Sequence, residues 1–327
     1  MRPTVAFFNN KGGVGKTTLV FHVAWMLREL GRRVVVVDLD PQANLTSSFL
    51  TDAQVEDLWT ATARRTVYGA LEPLLEGEGG IQPPRTQEIV EGLALVAGDL
   101  ALSGSEQELS TAWPNAGDGQ RRAFRVLSAF STVAKAAADS YGADITLLDV
   151  GPNLGAINRA AMVASTHVVV PLAPDLYSLQ GLRNLGPSLM QWRDEWRTRL
   201  ETSPLRHDEL PAGEMRPAGY VVLQHGVRLD RVVGAYDRWL QRVPQEYRTA
   251  VLGHTETVGV PVEKDPHCLG LLKHYHSLIP MGQEARKPIF LLRSADGAIG
   301  AHQQAVQAAH GHFQELTEHI VKAVTEE

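Results

Sequence analysis

The chain has 327 residues, of which 44% are hydrophobic and 21% charged, and its formal net charge is −6. A sizeable core can be buried, but a broadly basic nucleic-acid binder is excluded, so any such contact has to come from a local patch. Cys268 is the only cysteine, which rules out an intramolecular disulfide, and no apolar run reaches the roughly 18 residues of a membrane span. The N-terminus enters an apolar strand directly, without signal-peptide regions, and a cytoplasmic protein is expected.

Short β-branched runs recur along the chain: Val5–Phe8, Val34–Val37, Leu93–Val96, Ile145–Leu148, Val168–Val170 and Tyr220–Leu223. Each is nearly continuous in hydrophobicity, as strands covered on both faces are. Helical patterns such as Thr17–Leu30 and Arg121–Ser140 lie between them. This alternation predicts an α/β fold: a doubly wound, mostly parallel sheet with helices on both faces. Residues 76–85, 113–119 and 201–217 carry clustered Gly, Pro and polar residues and read as surface insertions in a single domain spanning 1–327.

The run Asn9–Thr18, "NNKGGVGKTT", separates the first strand from the first helix, where a phosphate-binding loop belongs. Its glycines let backbone N–H groups turn inward. The N–H groups of Gly12, Gly13, Val14 and Gly15, with the N-terminal end of the helix, make an anion cradle. Lys16 places a point charge on the β and γ phosphates, Thr17 offers a hydroxyl to Mg²⁺, and Thr18 reaches the α phosphate. Asn10 stands where the usual pattern has its first glycine, and Lys11 follows it.

Two strand ends carry carboxylates. "VVVVDLDPQANLT" places Asp38 and Asp40 at the ligand edge of the sheet. There a carboxylate can hold metal-bound water or orient an attacking one. Asp149 closes the run Ile145–Leu148 and fits a carboxylate that holds Mg²⁺ through water.

The variant loop resembles the deviant phosphate loop of the ParA/MinD family of dimerising P-loop ATPases. The resemblance implies that Lys11 reaches across a face-to-face homodimer to the partner's ATP while Lys16 serves its own. "DLDPQANLT" is similar to that family's first switch, which implies that Asp40 positions water and Asp38 supports the metal shell. Where members often read D-x-P-P-S-L-G, this chain has Gly151 and Asn153 in place of a proline and the serine, so a relaxed second switch is expected. "VVVPLAPDLYSLQGLRNL" and "SLIPMGQEARKPIF" resemble later family segments, and Gln224 and Pro280 are candidate adenine contacts.

Within the family, a MinD-like lipid-binding helix is not expected, because the last helix ends in Glu326 and Glu327. Its apolar residues Phe313, Leu316, Ile320 and Val324 are expected to pack on the core. One cysteine excludes the iron–sulfur chemistry of the nitrogenase iron protein. With four residues ahead of Val5, no N-terminal helix-turn-helix is expected. The stretch from Gly181 to Ala250 is rich in arginine and has no lysine. A helix through "LDRVVGAYDRWLQRV" would place Arg231, Arg238 and Arg242 on one face, a candidate for phosphate contact with non-specific DNA. The "HCLGLLKHYH" cluster lacks support as a metal site.

The expected activity is therefore a Mg²⁺-dependent ATPase of the ParA type. An adaptor protein of the ParB kind would stimulate it, and in the ATP state it would sit on the nucleoid. Two other readings are an ATP-gated interaction switch that never touches DNA and a metabolic enzyme of the CobQ or dethiobiotin-synthetase type. The latter needs a second-substrate pocket, which no sequence feature marks.

Overall fold

All six apolar runs become strands in the computed structural model. The strands are β1 (Thr4–Phe7), β2 (Val34–Asp38), β3 (Gln87–Val90), β4 (Leu93–Val96), β5 (Ile145–Asp149), β6 (His167–Leu172), β7 (Arg216–His225), β8 (Val227–Arg228), β9 (Arg231–Val232) and β10 (Cys268–Lys273). The structure describes every residue except 1, 62–63, 226, 229–230, 233, 258 and 327, and no side chain from 224 to 236 is described. Eight strands form one sheet in the order β10-β7-β6-β1-β5-β2-β4-β3. Its pairings are parallel except that β3 runs antiparallel to β4. β8 and β9 pair separately.

The helices are α1 (Lys16–Glu29), α2 (Asn44–Phe49), α3 (Asp52–Thr60), α4 (Val67–Leu75), α5 (Glu106–Gly117), α6 (Arg121–Leu127), α7 (Ala129–Tyr141), α8 (Ala156–Ala164), α9 (Leu176–Glu201), α10 (Gly234–Leu240), α11 (Val243–Glu246), α12 (Leu278–Ala285) and α13 (Ala301–Thr325). Successive strand residues face opposite sides, so the continuous run in β2 divides between two cores. Val35 and Val37 pack with residues of α4 through α9. Val34 and Val36 pack with residues of α1, α2, α3 and α13 on the other side. A fully buried valine run is what a sheet covered on both faces requires. In α13, Phe313, Leu316, Ile320 and Val324 are buried in this second core. No helix among the described residues is long and apolar enough to cross a membrane.

Several local expectations need correction. Residues 113–119 are not a loop: α5 continues through Trp113 and Pro114 to Gly117, because Trp113 and Ala116 are buried and tertiary packing overrides the proline signal. The helix expected over Arg121–Ser140 is broken at Ser128 into α6 and α7. The helix expected through Arg231, Arg238 and Arg242 does not form. Arg231 lies in β9, Arg238 in α10, and Arg242 precedes α11. The sequence gives the reason: β-branched Val232 and Val233 and then Gly234 all disfavour a continuous helix. Residues 76–85 do form a loop, and 202–215 form one interrupted by a single 3₁₀ turn at His207–Glu209.

Candidate functional site

Strand register assembles the site. Phe7 pairs with Asp149 across β1 and β5, and Asp149 pairs with Asp38 across β5 and β2. Both carboxylates therefore lie level with the point where the chain leaves β1 for the glycine-rich loop, one and two strands away on the same side. In that loop Gly13 and Gly15 have φ of 73° and 87°, a left-handed conformation that favours glycine. Gly15 sits at the N-cap of α1, and no side chain caps the helix there. Its first N–H groups are thus left for an anion. Lys16 is only 7% exposed and its Nζ lies 3.3 Å from Asp149 Oδ1. Asn9, which sequence reasoning passed over, braces the loop. Its Oδ1 accepts from Lys11 N at 2.9 Å, and its Nδ2 donates to Pro171 O at 2.6 Å.

Lys11 has a different neighbourhood. Its ammonium group contacts Asp175 and lies 5.7 Å from the Tyr177 ring centre. Asp175 is the N-cap of α9 and accepts from Ser178 N at 2.8 Å. Both members of this pair are about one-third exposed. Leu176 and Tyr177, the next two residues, are 50% and 74% exposed.

The three carboxylates are not equivalent. Asp38 Oδ2 accepts from Thr46 N at 2.9 Å and Thr46 Oγ1 at 2.7 Å, and Thr46 Oγ1 in turn accepts from Gly98 N at 2.8 Å. Asp38 thereby ties the start of α2 to the end of β4. Burial, then the nearby Asp149 charge, push the Asp38 carboxyl up to about 7 against the Thr46 hydrogen bonds. Asp40 accepts from Gln42 N at 3.0 Å. Asp149 is fully buried and its Oδ2 has no partner. Burial raises its pKa, opposed by Lys16 and by the Thr17 hydroxyl. A buried carboxylate oxygen without a partner is costly. An orphaned Oδ2 beside a threonine hydroxyl fits a hard cation that takes oxygen ligands. No group of three or more His, Cys, Asp or Glu among the described residues is placed to hold a metal. The ion would accordingly need oxygens from phosphate and water, as Mg²⁺ usually does.

Beside α1 lies a cavity of about 240 Å³ lined by Thr18, Phe21, His22, Ser47 and Gln283, among others. Ile279 and Gly282 of α12 form its wall, whereas exposed Pro280 does not. Gln224 lies in β7 with its side chain outside the described residues. His22 was another unforeseen residue. Its Nδ1 lies 2.7 Å from Thr18 O, and its Nε2 accepts from Ile289 N at 3.1 Å. This pairing requires the neutral ring with its proton on Nδ1, and burial pulls the His22 pKa down to about 4.

The arginine segment is less free than its composition implies. Arg183 pairs with Glu246, Arg197 with Asp194, Arg206 with Asp208, Arg216 with Glu214, and Arg248 with Asp265. Arg238 and Arg242 are exposed and lie 4.8 and 5.3 Å from the Trp239 ring centre. Arg242 also approaches Glu246 at 3.6 Å. The Arg231 side chain lies outside the described residues.

Comparison with known proteins agrees with this geometry. Residues 2–202 match the family model described as an AAA domain. The chain is 34% identical over 198 residues to the chromosome-partitioning ATPase Soj of Thermus thermophilus, covering 60% of this chain and 65% of that protein. It thus spans just under two thirds of that relative's length. A crystal structure of a Corynebacterium diphtheriae protein superposes with a TM-score of 0.74 at 26% identity, over 99% of both chains. The fold is shared with pNOB8 ParA, solved bound to nonspecific DNA, at a TM-score of 0.63, 18% identity and full coverage of both chains. The matched segment contains the two-lysine loop, both carboxylate-bearing strand ends and the parallel strands β1, β5 and β2 that align them, and the chain belongs to the ParA/MinD family of P-loop ATPases.

Proposed function

We propose that this chain is a ParA-type switch that binds ATP with Mg²⁺, pairs face to face with a second copy and binds DNA non-specifically in that state. A ParB-like partner would stimulate hydrolysis and release it, so that a plasmid, a chromosome locus or a protein cargo is positioned in the cytoplasm. The observation that carries this reading is the unequal placement of the two loop lysines. Lys16 is buried against Asp149 at the N-terminus of α1, where it serves the nucleotide of its own subunit. Lys11 is on an open rim, beside exposed Leu176 and Tyr177. Exposed Leu154 lies two residues beyond Pro152, which approaches Gly12. Exposed apolar side chains around a releasable cation fit a docking subunit.

In this reading the N–H groups of Gly12 to Lys16 and the Thr18 hydroxyl bind phosphate oxygens. Thr17 and Asp149 hold the cation, Asp40 orients the attacking water, and Asp38 acts through Thr46 by fixing the first switch. Gln224 and Pro280 stand near the base. Bound ATP supplies the transferable phosphoryl group, and Mg²⁺ offsets the charge on its oxygens. Exposed Arg238 and Arg242 around Trp239, with Arg231, are the proposed DNA contacts.

A second reading, an ATP-gated switch that docks only protein, is favoured by the pairing of Arg183, Arg197, Arg206 and Arg216 with acidic neighbours. Such pairs leave less positive charge for phosphate. A pulldown on unrelated duplex DNA with ATP, ADP or no nucleotide separates the two readings. Capture with ATP alone, lost when Arg238 and Arg242 are both changed to Glu and steeply weakened by salt, supports the first. No capture in any nucleotide state supports the second.

A further inference from the structure

The loop after Asp149 lacks the first proline of the related pattern, with Gly151 in its place, yet it is not loose. Asn158, in the first turn of α8 and fully buried, grips it. Its Oδ1 accepts from Gly151 N at 3.1 Å. Its Nδ2 donates to Gly151 O at 2.9 Å and Asn153 O at 2.7 Å, with Asn153 Oδ1 at 3.1 Å sharing a hydrogen. A carboxamide can both accept from the N–H and donate to the C=O of one residue. A proline at 151 would offer no N–H to hold. The same loop sets Pro152 against the phosphate loop: a Cβ on Gly12 would lie 3.9 Å from the Pro152 ring. The base of the clamp is itself fixed. Glu106, from α5, accepts from Ala156 N at 2.5 Å and Ile157 N at 3.0 Å, and so closes the N-terminus of α8 that carries Asn158.

We propose that Asn158 is a positioning residue for ATP hydrolysis: it sets the path of residues 151–153, and through them the Asp149 carboxylate and the Pro152–Gly12 approach. This deepens the ATPase reading above and rests on it. The second switch of this chain is then pre-ordered before nucleotide arrives, and Gly151 is useful for its N–H rather than for space. The nearest atoms to a Cβ at 151 would be Asn158 and Asn153 side-chain atoms at 3.6–3.7 Å, which is ordinary contact.

The test compares wild type, Asn158→Ala and Gly151→Ala by fluorescent-ATP binding, steady-state ATP turnover and urea unfolding. Asn158→Ala is expected to keep ATP affinity within about 3-fold, because the phosphate loop is untouched, and to lower kcat by roughly 10- to 100-fold, as misplaced groups do. Gly151→Ala keeps the N–H that Asn158 holds and is expected to lose much less turnover than Asn158→Ala. Wild-type kcat in Asn158→Ala overturns the inference, and so does a loss of affinity equal to the loss of turnover. Amide hydrogen exchange on the nucleotide-free wild type decides the matter should Asn158→Ala fail to fold. A slowly exchanging Gly151 N–H supports the clamp, and a Gly151 N–H that exchanges as fast as an open loop removes it. If the wild type does not turn over ATP at all, the ATPase reading falls, while the exchange measurement still judges the clamp.

Discussion

Lys16 and Lys11 stand five residues apart in one loop, and each holds a carboxylate of its own chain, but the two pairs differ in kind. Lys16 and Asp149 are 7% and 0% exposed, enclosed beneath the loop at the centre of the sheet. Lys11 and Asp175 are 28% and 34% exposed, at the rim. A buried pair is costly to break from one side, because the remaining charge is stranded. An exposed pair contributes about 0–1 kcal/mol and can be given up. The first lysine is therefore committed to the site, whereas the second can move.

Breaking the committed pair should have the largest effect. In Lys16→Ala the phosphates lose a charge-assisted contact of about 1.5–3 kcal/mol, and Asp149 faces them without its counter-charge. Nucleotide binding by the single subunit should fall by roughly 100-fold or more. Titration calorimetry that returned wild-type affinity would remove Lys16 from the site.

The next effect concerns what supports the buried side. His22 joins Thr18 of α1 to Ile289 of the C-terminal segment and stays neutral because it is buried. Its pKa is about 4 in the folded chain against 6.5 when free. Above pH 6.5 neither state takes the proton and the full stability is present. As pH falls the unfolded chain protonates first, so stability drops from about pH 6.5 down to about pH 4 and then levels. The total is of order 3 kcal/mol at most. Thermal melts across this range should show a shallower acid slope for His22→Leu than for wild type. Parallel slopes would mean that other groups carry the acid sensitivity.

The smallest effect sharpens the contrast from the exposed side. Asp175→Ala frees Lys11 from its resting partner, an exposed pair of under about 1 kcal/mol, and also removes the α9 N-cap, typically about 0.5–2 kcal/mol of stability. If Lys11 is needed elsewhere, ATP-dependent self-association should tighten by a few-fold, while nucleotide affinity of the monomer stays the same. Weaker association in Asp175→Ala would mean that the α9 N-cap, not the release of Lys11, is what the interface uses.

The buried side of this comparison was readable in the sequence and the rim was not. Strand runs such as Val34–Val37, the glycine loop and the strand-end carboxylates each follow from a local pattern: period, turn chemistry or register. Asp175 as the partner of Lys11 lies 164 residues away, and no local pattern links them. The same holds for His22 and Ile289, and for Glu106 at the start of α8. The clamp on the second switch could have been suspected. Replacing a proline by Gly151 releases an N–H, and a buried N–H needs an acceptor nearby. The arginine stripe failed for the opposite reason. Composition counted charges but could not see that acidic neighbours pair with many of them, and the helical reading passed over Val232 and Gly234, which disfavour a continuous helix.

Sedimentation velocity of Lys11→Ala with ATP and Mg²⁺, run beside a monomer nucleotide-binding assay, tests the division between the two lysines most directly. Each charge-assisted contact removed is about 1.5–3 kcal/mol, and a symmetric dimer loses it twice. The expected result is a variant that binds ATP as wild type does within about 3-fold yet remains monomeric where wild type sediments as a dimer. A Lys11→Ala protein that dimerises on ATP like wild type would contradict the account, because Lys11 would then act only within its own subunit.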